Sequence, residues 1–156
     1  MQGAIKYFDL SHNYKSDIVF TWDKALSFEG NTGPYLQYTH ARIFGIWRKA
    51  GLEDRKTFID SPEVGHSNQK EEELMVLRKL EKFSGIIQSV VETYSPNLLC
   101  NYLFELSQNF NTFYEACPIL KEENEEVRNY RLNLIHATAQ VLKNGLDLLG
   151  IQAPEE

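Results

Sequence analysis

Residues 95–118 read Ser95-Pro96-Asn97-Leu98-Leu99-Cys100-Asn101-Tyr102-Leu103-Phe104-Glu105-Leu106-Ser107-Gln108-Asn109-Phe110-Asn111-Thr112-Phe113-Tyr114-Glu115-Ala116-Cys117-Pro118. Between the two prolines, Leu99, Leu103, Leu106, Phe110, Phe113 and Cys117 recur at steps of three and four. That spacing puts them on one face of an α-helix and makes Phe110 and Phe113 core residues. Ser95 is a capping residue, and Pro96 suits the first helical position, where its missing N–H has no partner to lose. Pro118 ends the pattern because its ring cannot continue the hydrogen-bond ladder. A helix this long with a single apolar face needs other helices or a sheet to cover it.

The segments on either side supply helices. Toward the C-terminus, Leu132, Ile135, Ala139, Leu142, Leu146 and Leu149 predict a helix from about Glu122, stopped by Gly150 and followed by Pro154. Within it Asn144-Gly145 interrupts a strong pattern, which points to close packing against a neighbour, with an RNA-facing role as the alternative. On the N-terminal side, Phe83, Ile86, Ile87, Val90, Val91 and Tyr94 predict a helix over 84–94. Glu71, Glu72 and Glu73 favour the first turn of another, where carboxylates meet the positive end of the helix dipole. Leu74, Leu77 and Leu80 carry that helix to about Lys82.

Residues 51–69, with Ser61-Pro62, Gly65 and Ser67-Asn68-Gln69, read as a loop. Before it, Pro34 to about Ala50 forms a helix with Leu36, Ile43, Trp47 and Ala50 on one face, and Gly51 stops it. Residues 4–30 read as a short helix near 4–12, an extended stretch near 17–20 and a short helix around 22–28. No strand alternation of any length appears. The fold class is all-α: a bundle from about residue 70 onward, with the Pro34 helix packed on it.

Composition narrows the function. The 156 residues, 42% hydrophobic and 24% charged, suit one soluble domain. There is neither a membrane-length apolar run nor a signal-peptide h-region, so a cytoplasmic location is the expectation. The net charge of −6 counts against a generic duplex binder but not against a reader of unpaired bases. Cys100 and Cys117 lie on one helix about 25 Å apart, beyond disulfide reach. With His12, His40, His66 and His136 they form no zinc-ligand spacing. No nucleophile–base pair stands out either, and His40 lacks a Ser, Cys or Asp partner at a recognisable spacing.

Residues 28–42, Phe28-Glu29-Gly30-Asn31-Thr32-Gly33-Pro34-Tyr35-Leu36-Gln37-Tyr38-Thr39-His40-Ala41-Arg42, closely resemble the class I arginyl-tRNA synthetases. Three further segments resemble the same family in the same order. They are Asn101–Leu106 leading into Phe110–Pro118, then Arg131-Leu132, and last Val141–Ile151. The resemblance implies residues 1–30 as the end of a catalytic domain and residues 31–156 as an all-α anticodon-binding domain. It also implies a parent that attaches arginine to its tRNA with ATP and magnesium. The family's His-Ile-Gly-His-like and Lys-Met-Ser-Lys-Ser-like motifs are absent from these 156 residues, so no catalytic residue and no cofactor is expected here. The implied partners are the anticodon loop of an arginine tRNA and the upstream catalytic domain; no membrane is involved, and a monomer is expected. The family's usual ending, Pro-Glu-Arg-Met, is replaced by Pro154-Glu155-Glu156, which should weaken anticodon binding.

Tyr114 leads the candidate contacts: the residues alone read as a half-buried tyrosine with a wet hydroxyl, whereas the resemblance implies an aromatic touching the anticodon at that position. Ser107, Asn111, Tyr114 and Pro118 form a stripe beside the core stripe, where a ring can stack on an unpaired base and Asn111 can bond its edge. Arg131 and Lys143, with Arg128, could approach phosphates. Asn31 and Gln37 fall in the block that the resemblance places near the inner corner of the tRNA. Asn31 or Thr32 is equally explained as a helix cap, and Gln37 and Arg42 as braces; Tyr35 and Tyr38 read as structural. Phe20, Trp22 and Phe28 are expected to leave an exposed apolar patch where a missing domain would cover them. The rival reading is a helical protein-interaction or scaffolding bundle, which an acidic surface fits equally well.

Overall fold

The computed structural model describes residues 2–52 and 69–156; the expected loop at 51–69 lies almost wholly outside the described residues. The described residues form seven helices and no strand: α1 (Gln2–Leu10), α2 (Trp22–Ala25), α3 (Gly33–Lys49), α4 (Glu71–Glu81), α5 (Phe83–Thr93), α6 (Asn97–Ala116) and α7 (Glu125–Leu148).

α6 is the central element, packed against α4, α5, α7, α3 and α1. All six residues of its expected stripe are buried, joined by Cys100, Tyr102 and Ser107. Cys117 adopts extended angles, as expected before a proline, and the helix ends at Ala116. The start differs from the sequence reading. Asn97 is the first helical residue, Pro96 holds the cap position, and the Ser95 hydroxyl bonds the Thr93 carbonyl instead of capping.

α7 packs on α6, and Gly145 lies directly against Leu103. A Cβ there would stand 2.5 Å from Leu103 Cδ2, so only glycine fits this packing. α7 begins at Glu125, not Glu122. Asn124 caps it, its side chain accepting from the Glu126 and Val127 N–H groups. α3 buries Leu36, Ile43, Ile46 and Trp47, with Thr32 as its cap and Pro34 one place further in than expected.

α4 differs in which face it buries. Val76 and Glu73 are buried, whereas Leu77 is exposed and Leu74 and Leu80 are half-buried. α5 has no fully buried residue; Phe83, Ile86, Ile87 and Val90 lean on the core, and Val91 and Tyr94 face solvent.

α1 is integrated with the bundle. Tyr7 is fully buried, and its hydroxyl donates to the Cys100 carbonyl at 2.9 Å and contacts Asn31 Oδ1 at 2.5 Å. α2 is a single turn, shorter than the expected 22–28. Phe20, Trp22 and Phe28 are exposed as anticipated, with Phe8, Phe20 and Trp22 in successive edge-to-face contacts.

Candidate nucleic-acid interface

A cleft of about 810 Å³ runs along the outer face of α3 toward the C-terminal end of α6. Tyr38, Arg42, Gly45 and Lys49 line it, and these recur at steps of four, three and four along α3. Gly45 and Ala41 keep the floor low; a Cβ on Gly45 would meet nothing within 4 Å. Tyr114 enters from α6, Phe28 from the segment before α3, and Pro154 from the C-terminal segment. Tyr38 and Phe28 are more than half exposed.

Tyr114 is half-buried beside Phe110, with ring centroids 6.0 Å apart and planes 25° from parallel. The Arg42 guanidinium carbon stands over its ring at 4.6 Å, within cation–π range. Arg42 is held in place by a relay between the two helices. Its guanidinium donates to Asn111 Oδ1 at 3.1 Å, and Asn111 Nδ2 donates to the Tyr35 hydroxyl at 2.8 Å. Tyr35 in turn packs edge-on against Phe104. An oriented guanidinium on a tyrosine, at the mouth of an apolar cleft, offers a flat cationic surface and hydrogen-bond donors together.

The other expected contacts scatter. Gln37 lines the cleft, but its Nε2 donates to the Gln152 carbonyl at 2.8 Å. Asn111 lies behind the cleft as part of the relay. Asn31 bridges Tyr7 and Asn101, with its Nδ2 2.9 Å from Asn101 Oδ1, so it ties the segment before α3 to α6. Lys143 is on α7, paired with Asp147 at 2.5 Å, and does not line the cleft.

Arg131 requires a correction. It is 4% exposed, and its guanidinium meets Glu73 at 2.6 Å, Glu122 at 2.7 Å and the Pro118 carbonyl at 2.7 Å. Glu73 also accepts from the Lys70 N–H at 2.8 Å. Such a group joins α4, α7 and the turn after α6. It is not available to a phosphate.

The sequence reading missed Arg42, Tyr38 and Lys49 as a set. Their spacing of four, three and four marks a second stripe on α3, beside the apolar stripe that packs on the bundle. Burial pushes the Cys100 thiol up to about 12, and Cys117 upward as well, so neither is a ready nucleophile. Among the described residues, no group of three or more His, Cys, Asp or Glu could hold a metal ion, and no helix is long and apolar enough to cross a membrane.

An all-helical bundle with an aromatic, cation-bearing cleft is the class that fold and site define. The chain belongs to the DALR anticodon binding domain family, whose family model matches residues 36–156. It is 50% identical over 153 residues to the arginine–tRNA ligase of Cyanothece sp. and 45% identical over 153 residues to that of Hamiltonella defensa. Each alignment covers 98% of this chain and 26% of the relative, so the chain spans about a quarter of the curated relatives' length. The Thermus thermophilus arginyl-tRNA synthetase structure matches with a TM-score of 0.87 at 36% identity, over 98% of this chain and 26% of that one. The Plasmodium falciparum arginyl-tRNA synthetase matches at 0.80 and 31%, over 99% and 26%.

Proposed function

We propose that this chain recognises the anticodon loop of an arginine tRNA as one part of an arginine–tRNA ligase. The observation that carries the reading is the match of residues 36–156 to an anticodon binding domain, in a fold with an aromatic cleft edged by Tyr114 and Arg42. Tyr114 makes no hydrogen bond through its hydroxyl to a described residue. Its ring is half-exposed, so an unpaired base can stack or bond at its free edge. Arg42 and Lys49 line the cleft together with one carboxylate, Glu156, in an acidic chain.

Residues 31–156 form the binding domain in this reading, and residues 1–30 the end of the catalytic domain. The remainder of that domain covers Phe20, Trp22 and Phe28 and carries out arginine activation with ATP and magnesium in the cytoplasm. The residues present here do not fit that chemistry: the chain has neither nucleotide motif of the family. No activation step is therefore assigned to it, and a monomer suffices for recognition.

A fluorescence titration with arginine tRNA and an unrelated tRNA, at two salt concentrations, tests the reading. Preference for arginine tRNA that persists at the higher salt is expected; equal affinity for both would sink it.

A further inference from the structure

The segment after α7 folds back along the molecule. The Gly150 N–H donates to the Asp147 carbonyl and the Ile151 N–H to the Leu146 carbonyl, both at 2.9 Å, with Gly150 at φ +68°. This is the paired-bond helix stop that favours glycine and places an apolar residue next, and Ile151 is 2% exposed. Residues 152–154 then follow α3. Gln37 Nε2 holds the Gln152 carbonyl at 2.8 Å; His40, one turn further along α3, holds the Pro154 carbonyl through Nδ1 at 2.6 Å. Pro154 lines the cleft that Tyr38, Arg42 and Tyr114 also line.

His40 is fully buried, with its ring against Phe44 at 4.9 Å, and its Nε2 has no hydrogen-bond partner among the described residues. A bare buried Nε2 fits the neutral ring with its proton on Nδ1, donated to Pro154. The polar contact of this residue is therefore made across 114 positions of sequence, to a segment that has no regular structure of its own.

We propose that His40 is a positioning residue: through the Pro154 carbonyl it clamps residues 151–154 as a strap on α3, and the strap forms one wall of the cleft that receives unpaired nucleotides. The nucleotide part of this inference rests on the function proposed above. Protonation would place a second N–H on Nε2, where no acceptor waits. Burial holds the ring below its ordinary value of 6.5, opposed by the Pro154 carbonyl and by Glu155 and Asp147, and reinforced by Lys143.

Both native cysteines are buried, so a nitroxide on Gln152→Cys in the whole 156-residue chain reports the strap alone. The label is expected to be immobile in the parent chain at neutral pH. His40→Leu should free it, and lower affinity for an arginine-tRNA anticodon stem-loop about fivefold to tenfold, the loss of one good hydrogen bond. His40→Asn keeps a donor near the Nδ1 position but cannot titrate. It should hold the label and keep affinity within about twofold of the parent.

Circular dichroism identifies a His40→Leu protein that has unfolded. In that case Gln37→Leu, at a half-exposed position, should show the same release and the same loss. A folded His40→Leu protein with an immobile label, or a freed strap with unchanged RNA affinity, overturns the proposal. If the unmodified chain binds no stem-loop, the functional reading and the positioning role fall together, while label mobility still decides the clamp.

Discussion

Arg131 and Arg42 are both arginines on helices that bear apolar stripes, and the fold uses them in opposite ways. Arg131 lies at the junction of α4, α7 and the turn after α6, its side chain 5% exposed and matched to two carboxylates and a carbonyl. Arg42 lies at the rim between α3 and α6, where an asparagine orients it and a tyrosine ring supports it. The first arrangement satisfies the guanidinium inside the protein. The second leaves it oriented at an open cleft. A cation serves recognition only when the fold aims it without neutralising it. Arg42 meets that condition; Arg131 does not.

The contrast is most severely tested by Arg131→Met. Removing one partner of a buried ion cluster strands Glu73, which is 2% exposed, and should destabilise the chain by about 3–5 kcal/mol. Urea denaturation measures this, and a loss below about 1 kcal/mol would show that the cluster is exposed in solution. Tyr114→Ala attacks the other region. Anticodon stem-loop affinity should fall by about 1–3 kcal/mol, the range for one stacked base, while circular dichroism shows the bundle still folded.

Arg42→Lys sharpens the comparison further, since it keeps the charge but not the planar fork held by Asn111. Affinity should fall about threefold to tenfold with the salt dependence unchanged; affinity equal to the parent's would mean that Arg42 acts only as a phosphate counter-charge. The smallest effect belongs to Glu122. The Asn124 backbone N–H, and after it Arg131, hold this carboxyl below its ordinary value of 4.5. A lowered carboxyl pKa stabilises the fold above the ordinary value and loses that contribution as pH falls through the lowered one. Thermal unfolding of Glu122→Gln should therefore converge with the parent at acid pH and fall below it at neutral pH.

Most of the helical layout was legible in the residues, and particular positions show why. Cys117-Pro118, Gly51 and Gly150 stop helices through backbone geometry that neighbours hardly influence, and all three stops stand where the sequence puts them. Gly145 was legible too, because glycine inside a strong helical pattern needs a reason, and Leu103 is that reason. α4 was misread because Leu74, Leu77 and Leu80 outnumber Val76. Pairing with Arg131 draws Glu73 inward and turns the helix accordingly. In the candidate site, Tyr114 was visible as a marginal aromatic, whereas Arg42 was seen only as a brace.

Local chemistry along the chain determined where helices begin and end, which stripes turn inward, and that the class is all-α. These depend on spacings of three and four residues and on the dihedral preferences of glycine and proline. Only the tertiary structure decided which arginine is neutralised and which is presented, and that the last residues return to wall the cleft. Glu73 and Arg131 are 58 positions apart, Arg42 and Asn111 69, His40 and Pro154 114. Electrostatic and hydrogen-bond partnerships act over a few ångströms of space, and no periodicity in the sequence encodes which distant positions will meet.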